Sequence, residues 1–117
     1  MKVSDIVDKF NLKVFCGKEG LGREIKGGYV SDLLSDVMGN SREGQIWITL
    51  QTHKNVMAIA SLKDLAAVIM VKGFKPNDDT AEQSKIEGVP VLGTSENTFE
   101  MSGKLFQYLI DNEVIQG

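Results

Sequence analysis

His53 is the only histidine in the chain, and histidine is the side chain whose unperturbed pKa lies closest to neutrality, so any acid–base chemistry starts there. It sits in Gln51-Thr52-His53-Lys54, an abruptly polar stretch between two apolar runs. Acyl transfer would also need a nucleophile. No GxSxG elbow is present, and the single cysteine, Cys16, lies far away in sequence. A helix N-terminus expected just after His53 disfavours the imidazolium, which suits a neutral hydrogen-bonding role or a place at a helix start. Asp78 and Asp79 are adjacent at another expected helix start, where acids stabilise the helix dipole and need do nothing more. One histidine and one cysteine fall short of a structural zinc ligand set. The glycines at 17, 20 and 22 do not open a GxxxxGK[ST] phosphate loop, because Gly22 is followed by Arg23 and Glu24.

The remaining candidates depend on the elements that position them. Val3, Ile6, Val7 and Phe10 recur at helical spacing, with Asn11 as a stop. Leu12–Cys16 and Arg23–Ile25 flank the glycine-rich loop and read as a hairpin or small N-terminal side-layer. From Gly27 onward, strand and helix alternate. Strand runs at Gly28–Val30, Ile46–Leu50, Ala66–Val71 and Val89–Leu92 are separated by single helices. The runs at 46–50 and 66–71 are almost continuously apolar, as strands covered on both faces must be. Expected helix starts are Ser31 or Asp32, Asn55, Asp79 with Glu82, and Asn97 with Glu100; Gly39 and Gly88 are expected ends. Phe99, Ser102, Gly103, Phe106, Leu109 and Ile110 are the expected buried stripe of the last helix. Consecutive strand–helix–strand units require right-handed crossovers, so the fold class is α/β: one small domain over 1–117, mainly a parallel sheet with helices on its faces.

In such a sheet the loops leaving the carboxyl ends of the strands share one edge and meet helix N-termini with free N–H groups. That edge gathers the candidate ligand residues Ser31, Asp32, Gln51, Thr52, His53, Asn55, Lys72, Gly73, Lys75 and Thr94. Hydroxyls, an amide, an imidazole and ammonium groups together suit a small anion or a nucleotide. Tyr29 and Phe74, each beside a glycine, can stack on a base, anchor a partner subunit or simply pack over the sheet edge.

The chain has 117 residues, enough for one core and too few for a catalytic domain with a separate sensor. With 42 % apolar and 25 % charged residues it should fold, and a net charge of −3 argues against a dedicated nucleic-acid binder. A lone cysteine fits a reducing interior, and neither a signal peptide nor a membrane-length apolar run is evident. The expected location is the cytoplasm.

Four segments, Gly28–Met38, Gly44–His53, Ala60–Ile69 and Gly88–Leu92, together resemble the DRTGG domain family, in particular its short stand-alone members. The resemblance spans nearly the whole chain. It implies a fold similar to the N-terminal domains of HPr kinase/phosphorylase and of Mur ligases. Where the family has its Asp-Arg pair this chain has Thr52-His53, and where it has Thr-Gly-Gly this chain has Val71-Lys72-Gly73, keeping only the glycine. The resemblance implies a regulatory or assembly role, a homodimer, and a protein partner in a redox or hydrogenase-related system. It does not imply kinase activity, since phosphoryl transfer needs a phosphate-loop lysine and a metal-holding carboxylate that are missing here.

The expectation is therefore a non-catalytic regulatory or protein-interaction module that self-associates, with a ligand edge at the strand-end loops and no resident cofactor. The alternative is a sensor of nucleotides or phosphorylated metabolites, with Lys72, Lys75 and the helix N-termini after Thr52 and Asn77 holding the anion. An enzyme using His53 is the third and weakest reading.

Overall fold

The computed structural model describes residues 1–117. The elements run α1 (Val3–Phe10), β1 (Lys13–Cys16), β2 (Gly27–Val30), α2 (Leu34–Asn40), β3 (Gln45–Thr49), α3 (Asn55–Leu62), β4 (Ala67–Met70), α4 (Asp78–Glu87), β5 (Val91–Gly93) and α5 (Thr98–Asp111). The strands form one sheet in the order β1-β5-β4-β3-β2. β2 through β5 are parallel, each joined to the next by one helix, and β1 lies antiparallel at the edge against β5. No helix is long and apolar enough to cross a membrane.

The sheet separates two apolar cores. Ile46, Ile48, Ala67, Ile69 and Leu92 face α1 and α5, whose Val3, Ile6, Met101, Leu105 and Leu109 close over them. Trp47, Val68, Met70 and Val91 face the other way, onto Val37 of α2 and Val56, Met57 and Ala60 of α3. Burial on both faces is why β3 and β4 read as unbroken apolar runs. The four buried polar side chains are all satisfied: the hydroxyls of Ser41, Thr49, Thr80 and Ser84 donate to the Val37 carbonyl, Asp32, the Thr52 carbonyl and the Val89 carbonyl.

The N-terminal side-layer is a correction. Leu12–Cys16 does not pair with Arg23–Ile25 but extends the main sheet, Lys13 opposite Gly93 and Val14 opposite Leu92. The 23–25 segment makes only a single bridge, Glu24 with Lys2. The intervening glycines explain why. At Gly17 (φ +76°) an added Cβ would lie 2.6 Å from the Val89 carbonyl oxygen, and one at Gly20 would collide with the Gly88 carbonyl. These glycines let the loop press against residues 88–90, which lays β1 along β5 instead of turning it back on itself.

The last helix is the second correction. Met101, Leu105 and Leu109 face the sheet, while Phe99 is 87 % and Phe106 is 56 % exposed. Both stripes satisfy helical spacing, and the sheet takes the aliphatic one. Three expected starts also differ. Asp32 bonds elsewhere, Asn55 falls inside the first turn of α3, and α4 begins at Asp78 after Asn77 without an Asp79–Glu82 box. Asn97 does cap α5, its side-chain oxygen accepting from the Glu100 N–H at 2.8 Å, and Gly88 ends α4 at φ +67°. Asn11 ends α1 in the same left-handed conformation, at φ 51°. Gly39 lies within α2, which runs on to Asn40.

Candidate functional site

The carboxyl ends of β2 to β5 do share one edge, and of the ten candidate residues there the structure gathers seven into two groups, leaving His53, Asn55 and Lys72 outside both. The first is a knot of internal hydrogen bonds. One oxygen of Asp32 accepts from the Thr49 hydroxyl at 2.9 Å and from the Leu50 N–H at 2.7 Å, and the Gln51 side-chain amide donates to the Asp32 carbonyl at 2.8 Å. The Ser31 hydroxyl accepts from the Leu33 N–H, and its carbonyl accepts from the Trp47 indole at 2.8 Å. These groups tie the β2 and β3 ends together and leave little donor capacity for a ligand. Thr52 is likewise engaged: its carbonyl accepts from the Asn77 N–H and the Thr80 hydroxyl, fixing the loop to α4.

His53 is half-buried, and its backbone carbonyl accepts from the Val56 N–H at 3.0 Å at the start of α3. Asn55 is exposed and caps nothing. Lys72 is exposed in a left-handed conformation (φ 59°), and its N–H donates to the Glu96 carbonyl while the Gly73 N–H donates to that of Thr94.

The second group lines a hollow of about 400 Å³ at the β4, β5 and β1 end of the same edge. Gly73, Lys75 and Thr94 are on its wall, joined by Lys13, Phe15 and Ser95, with Phe10 and Phe74 at its margin. Lys13 and Phe15 were missed from the sequence because strand-end reasoning collects only loops that follow parallel strands. An antiparallel edge strand reverses the rule: its beginning, Lys13, lies beside the end of β5 at Gly93. Gly93 has no side chain, and the Phe15 ring occupies the space a Cβ there would need. The Lys13 ammonium lies 5.1 Å from the centre of that ring. Glu96, the one acid on the wall, is paired with Lys104, which leaves Lys13 and Lys75 to set the sign of the hollow. Two ammonium groups, two hydroxyls and aromatic faces can together hold phosphate oxygens and a planar ring.

Tyr29 and Asp36 carry the perturbed pKa values. The Tyr29 hydroxyl donates to both Asp36 oxygens at 2.9 Å, which raises the phenol above its ordinary value and lowers the carboxyl below its own. Both shifts favour the resting protonation states, a neutral phenol and a carboxylate. A tyrosine used as a base would need the opposite shift.

A second concavity, about 490 Å³, lies between α5 and the outer strand β2. Its walls are mostly apolar, and no strand-end loop contributes to it.

The sequence pattern of the DRTGG domain matches residues 5–108. Among solved structures, the chain is similar to the CBS and DRTGG domains of the regulatory region of Clostridium perfringens pyrophosphatase, a structure described as complexed with its activator, diadenosine tetraphosphate. The TM-score is 0.67 at 17 % identity, over 90 % of this chain and 45 % of that one. The chain thus spans less than half of that neighbour, and the likeness is one of fold. Among curated proteins no sequence matches. A family pattern that runs from α1 through most of α5 places this chain in the DRTGG domain family.

Proposed function

We propose that the chain is a non-catalytic regulatory module of the cytoplasm that self-associates and takes a phosphorylated ligand with a planar ring, of the nucleotide class, in the strand-end hollow. The observation that carries the ligand reading is the make-up of the hollow. Lys13 and Lys75 supply charge, Thr94 and Ser95 supply hydroxyls, and Phe15 and Phe74 supply ring faces, Phe74 being 46 % exposed to water. Its position on the carboxyl edge of a parallel sheet is where such folds bind ligands. The Clostridium perfringens regulatory region, described as holding diadenosine tetraphosphate, supports the ligand class. The site differs from the Lys72 and Thr52 arrangement expected from sequence, because the Thr52 loop is occupied by its own bonds to α4. The non-catalytic reading rests on a Tyr29–Asp36 pair poised for stability. The proposal also keeps the protein partner in a redox or hydrogenase-related system that the resemblance implies, to be sought by affinity capture from cells that make such a system.

The ligand test is thermal unfolding with AMP, ADP, ATP and diadenosine tetraphosphate. A ligand at a hundred times its Kd stabilises by about 2.7 kcal/mol, or roughly 10 °C in a domain of this size. Lys13→Ala with Lys75→Ala should abolish the shift, and His53→Ala should retain it. No shift with any of the four, or a shift lost only with His53→Ala, overturns the reading.

A further inference from the structure

The groove between α5 and β2 has no occupant among the chain's own residues, and its composition is that of an interface. Eight large apolar residues are substantially exposed on this protein, and three of them, Val30, Phe99 and Phe106, meet at this one groove. Gly28 leaves its floor without a side chain, and Gly103, with open space where a Cβ would be, leaves a notch in its wall. The charge on its rim, Lys26, is paired with Glu43 at 3.2 Å. β2 is one of the two edge strands of the sheet. Knobs and hollow therefore belong to one surface patch, which is what a two-fold contact between identical chains requires.

We infer that this groove is the interface with a second copy of the chain, formed by an antiparallel crossing of two α5 helices. The inference rests on the self-association proposed above and names its surface. A crossing centred between Ser102 and Gly103 sets Phe99 of one copy against Phe106 of the second copy, and Ser102 of each against Gly103 of the other. The small residues at the centre allow the helices to approach closely, and the phenylalanines on either side fill the grooves. The areas agree with a dimer. At 87 % and 56 % exposure, the two phenylalanines present about 300 Å² per copy. Four rings then supply roughly half of the 1,200 Å² at which stable interfaces begin, before the exposed Val30 and the rest of the exposed face of α5 are added.

The test is sedimentation equilibrium on the whole chain, wild type beside Phe106→Glu and Gly103→Glu. Both positions face solvent in the single chain, so far-UV circular dichroism should show each variant folded. The wild type should sediment as a dimer at micromolar concentration, and either variant should raise the dissociation constant by roughly 30-fold or more, as expected when a central anchor is lost. Ser102→Cys should yield a disulfide-linked dimer under mild oxidation, whereas Lys85→Cys on exposed α4 should not; native Cys16 is buried and does not compete. A wild-type monomer throughout would overturn both self-association and this surface, and would assign the groove to a different protein. A wild-type dimer that survives both glutamate substitutions would overturn the surface alone. Loss of the dimer with Phe106→Glu but no Ser102→Cys cross-link would overturn the antiparallel register.

Discussion

Replacing Asp32 by alanine should destabilise the fold without touching a ligand, which sets the structure's account of this residue against the expectation of a binding group. The substitution removes one oxygen that accepts two hydrogen bonds, from the Thr49 hydroxyl at 2.9 Å and the Leu50 N–H at 2.7 Å. Thr49 is fully buried, so its hydroxyl loses its acceptor in a place water does not reach. Asp32 itself is exposed, which weakens the charge assistance. Taking about 1 kcal/mol for each bond, with a further fraction for the stranded hydroxyl, the loss is about 2–3 kcal/mol. For a domain of this size that corresponds to a fall in Tm of roughly 10 °C. Fluorescence of Trp47, fully buried and bonded to the neighbouring Ser31 carbonyl, follows the unfolding. Asp32→Asn, which keeps an accepting oxygen, should cost about half as much. Thr49→Val combined with Asp32→Ala should cost less than the two separately, by about 1 kcal/mol. A variant that melts at the wild-type temperature, or a double variant whose costs simply add, would refute the clamp and return Asp32 to the candidate ligand residues.

The close approach of the 17–22 loop to residues 88–90 makes Gly20→Ala destabilising by about 1–3 kcal/mol through overpacking against backbone, measured by urea denaturation; an unchanged midpoint would show that the loop yields freely. Gly39→Ala, in a helix with open space around the new Cβ, should instead stabilise by about 0.5–1 kcal/mol. The Tyr29–Asp36 bond lowers the Asp36 pKa in the folded state, so its contribution to stability is present above the ordinary aspartate range and is lost as pH falls through the lowered folded value. The stability gap between wild type and Tyr29→Phe should therefore narrow on acidification below that range, and a gap that widens would mean the bond does not favour the carboxylate.

The parallel part of the sheet was legible because β3 and β4 are buried on both faces and so read as almost continuous apolar runs, alternating in sequence with helices. The partner of β1 was not legible. Leu12–Cys16 reads from its sequence only as a short strand, and its pairing depends on glycines whose role, contact with residues 88–90, is visible only in three dimensions. The same limit governed α5, where two stripes of equal spacing competed and local periodicity has no means of choosing between them. At the site, Gly73, Lys75 and Thr94 followed from the rule that ligands gather at the carboxyl edge of parallel strands. Lys13 and Phe15 depended on the unforeseen pairing of β1. The polarity of Ser31, Asp32 and Gln51 was recognised correctly, but polar side chains that bind each other have the same sequence signature as polar side chains that bind a ligand.

The pairing of β1 with β5 also orders events as the chain is made. β3, β4 and β5 each pair with the strand before them in sequence, across one intervening helix. β1 has no such neighbour: its backbone must wait for Val91–Gly93, across most of the chain. Such a non-local closure slows folding. The hollow that holds Lys13 beside Thr94 is complete only when β1 lies against β5.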